Sequence, residues 1–163
     1  MSPWIVTMEA LEPFRCAAFA RSDDHPAPLS YLFDKADQKN GGLDIRMEAH
    51  LRTRKMKAPH CLARSNFRHS YWTPAQIVAH HASNGCNLRP GDLLGSGTIS
   101  GPAPDSLGSM LEITQGGRNP LALPNGETRA FLEDGDEVIL RGRCERGGFA
   151  SIGIGEAAGR IKG

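Results

Sequence analysis

Leu43-Asp44-Ile45-Arg46-Met47-Glu48-Ala49-His50-Leu51-Arg52 alternates apolar and polar residues without a break. In an extended chain successive side chains point to opposite faces, so Leu43, Ile45, Met47, Ala49 and Leu51 share one side. Asp44, Arg46, Glu48, His50 and Arg52 share the other. Period two over this length predicts a strand with one buried and one wet face. Asp44 and Glu48 then read as a solvated surface divided by Arg46, not as a metal-binding pair. The basic run at 52–57 reads as a solvated loop, with residues 60–67 returning antiparallel as a second strand. Upstream, residues 21–28 and 35–42 read as polar loops and residues 4–6 as a short strand.

The clearest helix signal is Thr73-Pro74-Ala75-Gln76. Thr73 is an N-cap, Pro74 suits the first helical position, and Gln76 completes a capping box. Ile77 and Val78 are expected on its buried face, and Asn84-Gly85 is expected to stop it. His80 and His81 fall in its last turn, where adjacent residues diverge by about 100° and cannot chelate one ion together. Arg89-Pro90-Gly91-Asp92 has the type II turn pattern. Strands are expected at 93–98, 110–114 and 137–141, with alternating glycines in a last one at 149–161. Asn125-Gly126 predicts a two-residue hairpin. The fold class read from these signals is mainly β with one clear helix, a β-rich roll or sandwich in one domain over residues 1–163.

A formal net charge of +1 provides no long-range field for nucleic acid or an anionic membrane, and 23% charged residues with 39% hydrophobic ones fit a folded domain. No apolar run approaches the ~18 residues of a membrane span, and the first residues lack the charged and apolar parts of a signal peptide. Cys16, Cys61, Cys86 and Cys144 are widely spaced with no C-x-x-C. They could pair, but free thiols in a reducing cytoplasm are the expectation.

The candidate chemistry lies between residues 84 and 112. Gly95-Ser96-Gly97-Thr98-Ile99-Ser100-Gly101 places three glycines and three hydroxyls where backbone can approach a small polar ligand and bind a carboxylate or phosphate. It is not a P-loop. On these residues alone, a turn at a sheet corner explains the string better than a site does.

The longer string, Asn84-Gly-Cys-Asn-Leu-Arg-Pro-Gly-Asp-Leu-Leu-Gly-Ser-Gly-Thr-Ile-Ser-Gly-Pro102 followed by Gly108-Ser-Met-Leu-Glu112, resembles the C-terminal catalytic domain of the fumarylacetoacetase family. Pro3-Trp4, Ser65-Asn66-Phe67, Tyr71-Trp72-Thr73, Thr128-Arg129 and Asp134-Gly135-Asp136 continue the likeness along nearly the whole chain. Shorter relatives in the wider superfamily typically have Gly-Thr-Pro where Gly97-Thr98-Ile99 stands here.

The resemblance implies a mixed β-sandwich roll and hydrolysis of the C–C bond of 4-fumarylacetoacetate to fumarate and acetoacetate, the last step of tyrosine and phenylalanine catabolism. It implies a β-diketone acid as substrate, Ca2+ or Mg2+ held by carboxylates, a water-activating histidine, and a homodimer in the full-length form. Glu112 matches the glutamate that orients the histidine, and Thr98 matches a substrate-contacting threonine. The metal ligands, the histidine and the Arg, Gln and Lys of the substrate site have no counterpart in these residues, so no metal ligand is assigned here. Met1 stands where the family commonly has another apolar residue. The chain alone is therefore expected to be an incomplete, inactive and poorly soluble part of such an enzyme. The alternative is a stand-alone non-catalytic assembly or regulatory module of the same fold.

Overall fold

The alternating segment forms the middle of the main sheet. In the computed structural model, which describes residues 2–163, Met1 lies outside the described residues. Arg15–Cys16 (β1) pairs antiparallel with Gly42–Leu43 (β2) in a small ribbon. Arg46–Arg52 (β3) then pairs with His60–Asn66 (β4) on one side. On its other side lies Glu137–Cys144 (β7), which is flanked in turn by Ile152–Arg160 (β8). The sheet order is β4-β3-β7-β8, all antiparallel and open at both edges. A separate hairpin joins Leu121–Ala122 (β5) to Thr128–Arg129 (β6). The architecture is mainly β with few helices, as the sequence indicates.

Alternation in β3 is plain at Arg46, which is exposed, and at Leu51, while Met47, Glu48 and Ala49 between them are all half-buried. Arg46 pairs with Glu145 at 2.7 Å, and on the neighbouring strands Arg141 pairs with Glu156 at 2.9 Å. Leu51, on the opposite face, is fully buried. His50 departs from the expectation: it belongs to the wet face yet is 8% exposed. The cause is local. Ala49 faces Ala63 but His50 faces Cys61, so Leu62 is the extra residue of a bulge. Asp44 is taken up by Asn66 at 2.7 Å and by the guanidinium of Arg68.

Thr73 caps Pro74–Ala82 (α2) as predicted, with both arms of the capping box made. Its buried residue is Gln76, whose amide reaches Leu32 O at 2.8 Å, whereas Val78 is exposed. The polar segment expected to be a loop before β2 is a short helix, Lys35–Asn40 (α1), because Asp34 caps the amide of Asp37. Residues 4–6 and 93–100 form no strand. The Asn125-Gly126 connection is not a two-residue turn. Leu123 accepts from Gly126 N and donates to Glu127 O, and of the two residues only Gly126 has positive φ, so the primed geometry is not met.

The core gathers Leu11, Phe14, Leu43 and Cys144, with Val6, Ile45, Ile152 and Ile154 packed against it. A Cβ on Gly155, at φ 79°, would meet Trp4 Cδ1 at 2.5 Å. The glycine that weakens β8 therefore admits the N-terminal segment, whose Ser2 hydroxyl donates to Ile154 O at 2.9 Å. All four cysteines are free thiols.

Candidate active site

Ser109-Met110-Leu111-Glu112 has the spacing of a helix start, not of a strand. Met110–Ile113 (α3) is a single helical turn, which corrects the strand expected there. Ser109 Oγ accepts from the amide of Glu112 and donates to its Oε2 at 2.7 Å. The other carboxylate oxygen, Oε1, accepts from Ser100 Oγ at 2.7 Å. Ser100 Oγ in turn accepts from Gly108 N at 3.0 Å, closing the intervening loop. Gly101 N bonds Ser106 O at 2.8 Å inside that loop, and the Ser106 hydroxyl bridges the backbone of Ala103.

The Ser100 hydroxyl first, then that of Ser109, holds the carboxyl of Glu112 below the ordinary carboxylate range. Backbone amides of Ser109 and Gly108 add to this, and partial burial opposes it. Glu112 is thus an ionised, surface-facing acceptor whose two oxygens are fixed. Among the described residues no histidine hydrogen-bonds to it.

Thr98 is tied to the same unit through Gly108. A Cβ on Gly108 would lie 2.6 Å from Thr98 Cγ2 and 2.9 Å from Ile99 O, so only glycine lets the two segments touch. Thr98 also lines an open cavity of about 670 Å3, together with Gly97, Met47, Ala49, Ala63 and Ser65. This cavity lies over the apolar face of the sheet. Both sequence-predicted site residues are therefore brought into one loop-and-turn unit. Ser100 and Ser109 were missed as positioning groups, although the Ser-x-x-Glu spacing carried the signal.

The other candidates separate. The His80 ring nitrogen Nδ1 lies 3.0 Å from Tyr31 Oη, and His81 Nε2 lies 3.4 Å from Cys86 Sγ. The one group of three potential metal ligands found among the described residues is Glu48, His50 and Cys61, on β3 and β4. It shares no hydrogen bond with Glu112, although Glu48 borders the cavity that Thr98 lines.

Residues 1–162 match the family model for the fumarylacetoacetate hydrolase C-terminal domain. The chain belongs to the fumarylacetoacetate hydrolase family. It is similar to fumarylacetoacetase of Arabidopsis thaliana, 49% identical over 161 residues that make up 99% of this chain and 36% of that protein. It is similar to the fumarylacetoacetase of Homo sapiens at 47%, covering 99% of this chain and 37% of the human protein. The Dictyostelium discoideum fumarylacetoacetase is 45% identical, with 99% and 36% covered. The chain thus spans little more than a third of the length of these curated relatives. Its family membership also fits the open, mainly β architecture. No helix among the described residues is long and apolar enough to cross a membrane.

Proposed function

We propose that this chain is a C-terminal part of a fumarylacetoacetase, serving hydrolysis of the C–C bond of 4-fumarylacetoacetate to fumarate and acetoacetate, and that it does not turn over by itself. The observation that supports this reading most is the clamped carboxylate of Glu112 beside the cavity that Thr98 lines. An ionised acceptor with fixed oxygens can receive a ring N–H, fix the imidazole tautomer and stabilise the imidazolium formed when the other nitrogen takes a proton from water. Among the described residues no histidine lies at hydrogen-bond distance from Glu112, so in this reading the base comes from elsewhere in the working protein. Thr98 lines the cavity, and a hydroxyl there can donate to a substrate oxygen. The neighbouring backbone of Gly97 and Gly108 leaves that oxygen room.

A hard divalent cation, Ca2+ or Mg2+, requires several oxygen ligands. The residues present do not fit one. Both oxygens of Glu112 are occupied by serine hydroxyls, with no second carboxylate among their hydrogen-bond partners. The Glu48–His50–Cys61 group offers a single carboxylate beside nitrogen and sulfur. No step is therefore routed through such an ion on this chain. A homodimeric working form and a cytoplasmic setting are part of the same proposal.

The test is a chimera in which residues 1–163 replace the matching segment of the Arabidopsis thaliana fumarylacetoacetase. Loss of diketone absorbance should be restored, and Glu112→Gln should lower kcat by ~10²–10⁴-fold, the usual contribution of an acid–base group. An active chimera indifferent to Glu112→Gln would overturn the assignment. A chimera that folds but does not turn over would favour the non-catalytic module.

A further inference from the structure

The bulge in β4 places a cysteine where a regular strand would place a leucine. β3 and β7 keep unbroken register from Arg46 to Arg52, so Glu48 and His50 share one face. Across the other edge of β3, the skipped Leu62 turns Cys61 to face His50 directly. His50 Nε2 lies 2.9 Å from Glu48 Oε2, and the ligand atoms of Glu48, His50 and Cys61 all fall within 4.8 Å of one another. The imidazole is nearly buried, while the carboxylate and thiol are half-buried. The thiol's hydrogen bond is a weak one to Ala63 O at 3.5 Å.

We propose that Glu48, His50 and Cys61 form a binding site for a zinc-class transition-metal ion. Tetrahedral zinc holds nitrogen, oxygen and sulfur at about 2.0–2.3 Å, which sets ligand-to-ligand separations of about 3.3–3.6 Å. The His50–Glu48 separation of 2.9 Å and the 4.8 Å limit on the others span that range, so the three atoms stand within side-chain reach of one ion. The mixture of thiolate, imidazole and one carboxylate selects zinc, cobalt or nickel over magnesium or calcium. Three ligands leave a fourth position for water. Binding displaces the thiol proton to solvent and replaces the His50–Glu48 hydrogen bond with two bonds to the ion.

The surrounding charges set the strength. Arg64, opposite Glu48 on β4, holds Glu48 Oε1 at 3.3 Å and competes for the carboxylate. Arg141, opposite Glu48 on β7, is engaged by Glu156 at 2.9 Å, and the apolar Ile139 stands opposite His50. None of its three ligand atoms bonds to Glu112, Ser100 or Ser109.

The test titrates Co2+ and then Zn2+ into the 163-residue protein, after circular dichroism has established its β signature. One ion per chain is expected, with a sulfur-to-cobalt charge-transfer band that excess Mg2+ or Ca2+ does not remove. Cys61→Ser should abolish the band, and His50→Asn or Glu48→Gln should weaken zinc by at least about tenfold, the low end of what losing even an outer partner costs. Cys86→Ser, which removes the thiol beside His81, should leave the band intact. Arg64→Gln, which keeps every ligand, should tighten zinc. Absence of stoichiometric binding, persistence of the band in Cys61→Ser, or its loss in Cys86→Ser overturns the proposal.

Discussion

Two serine hydroxyls determine the state of Glu112, and that is testable one residue at a time. Ser100→Ala or Ser109→Ala should raise the Glu112 carboxyl toward its ordinary value, Ser100→Ala by more, in a carbon-13 NMR titration. An unchanged titration would mean that the hydroxyls do not hold the carboxylate. Gly108 answers to packing. Gly108→Ala drives a methyl into Thr98 and Ile99 O and should cost about 1–3 kcal/mol in denaturant unfolding. Gly147→Ala, which meets nothing within 4 Å, is the control and should be near neutral. At this scale the sequence was informative where chemistry and spacing coincide, as in Ser109-x-x-Glu112. It was silent on His50, because burial there depends on a bulge in another strand, which alternation within β3 cannot reveal.

Elements were legible in proportion to how local their causes are. The α2 capping box needs only four residues and was found. β3, β4 and β7 follow from alternation and apolar runs. The start of α1 was missed because Asp34 caps a helix with no apolar stripe. The segment at 93–98 reads as a strand because apolar and small residues there mimic one, yet among the described residues no strand pairs with its backbone. Thr73 holds Gln76 N and also donates to Asp37 Oδ2 at 2.7 Å, joining α2 to α1. Thr73→Ala should therefore cost about 1–2 kcal/mol, at or above the ordinary loss of a cap; a loss under a few tenths in a urea melt would show the cap to be idle. The β5–β6 hairpin is fastened to the end of β3 by Glu127. Hydrogen bonds from Thr53 and Asn125 lower its carboxyl to about 2 from an ordinary 4.5. A depressed carboxylate stabilises above its unfolded value and loses that contribution as pH falls through its folded one. Melting temperature should then decline between pH of about 4.5 and about 2. Glu127→Gln should flatten part of that decline; an identical profile would show the fastening to be unimportant.

Over the whole molecule, the sheet presents both edges and several large apolar side chains stand exposed. Ile5 is 92% exposed, Leu93 76%, Leu111 61% and Leu140 50%. Open edges and exposed apolar side chains favour association. The protein at working concentration should bind a hydrophobic dye and scatter light. A monodisperse monomer with a sharp cooperative melt and no dye binding would contradict this. The fold class and the family were legible from one chain because the signature residues run along nearly all of it. The cavity beside Thr98 was not, since it forms only where the loop at 96–99 meets β3, β4, β7 and β8 in the folded chain. The most direct measurement is the decay of fumarylacetoacetate diketone absorbance with the 163-residue protein and excess Mg2+ or Ca2+. No turnover by this protein is predicted, alongside turnover when the same residues are joined to the upstream part of a fumarylacetoacetase. Metal-dependent turnover by the 163 residues alone would contradict the account, because Glu112 would then be serving a base within this chain.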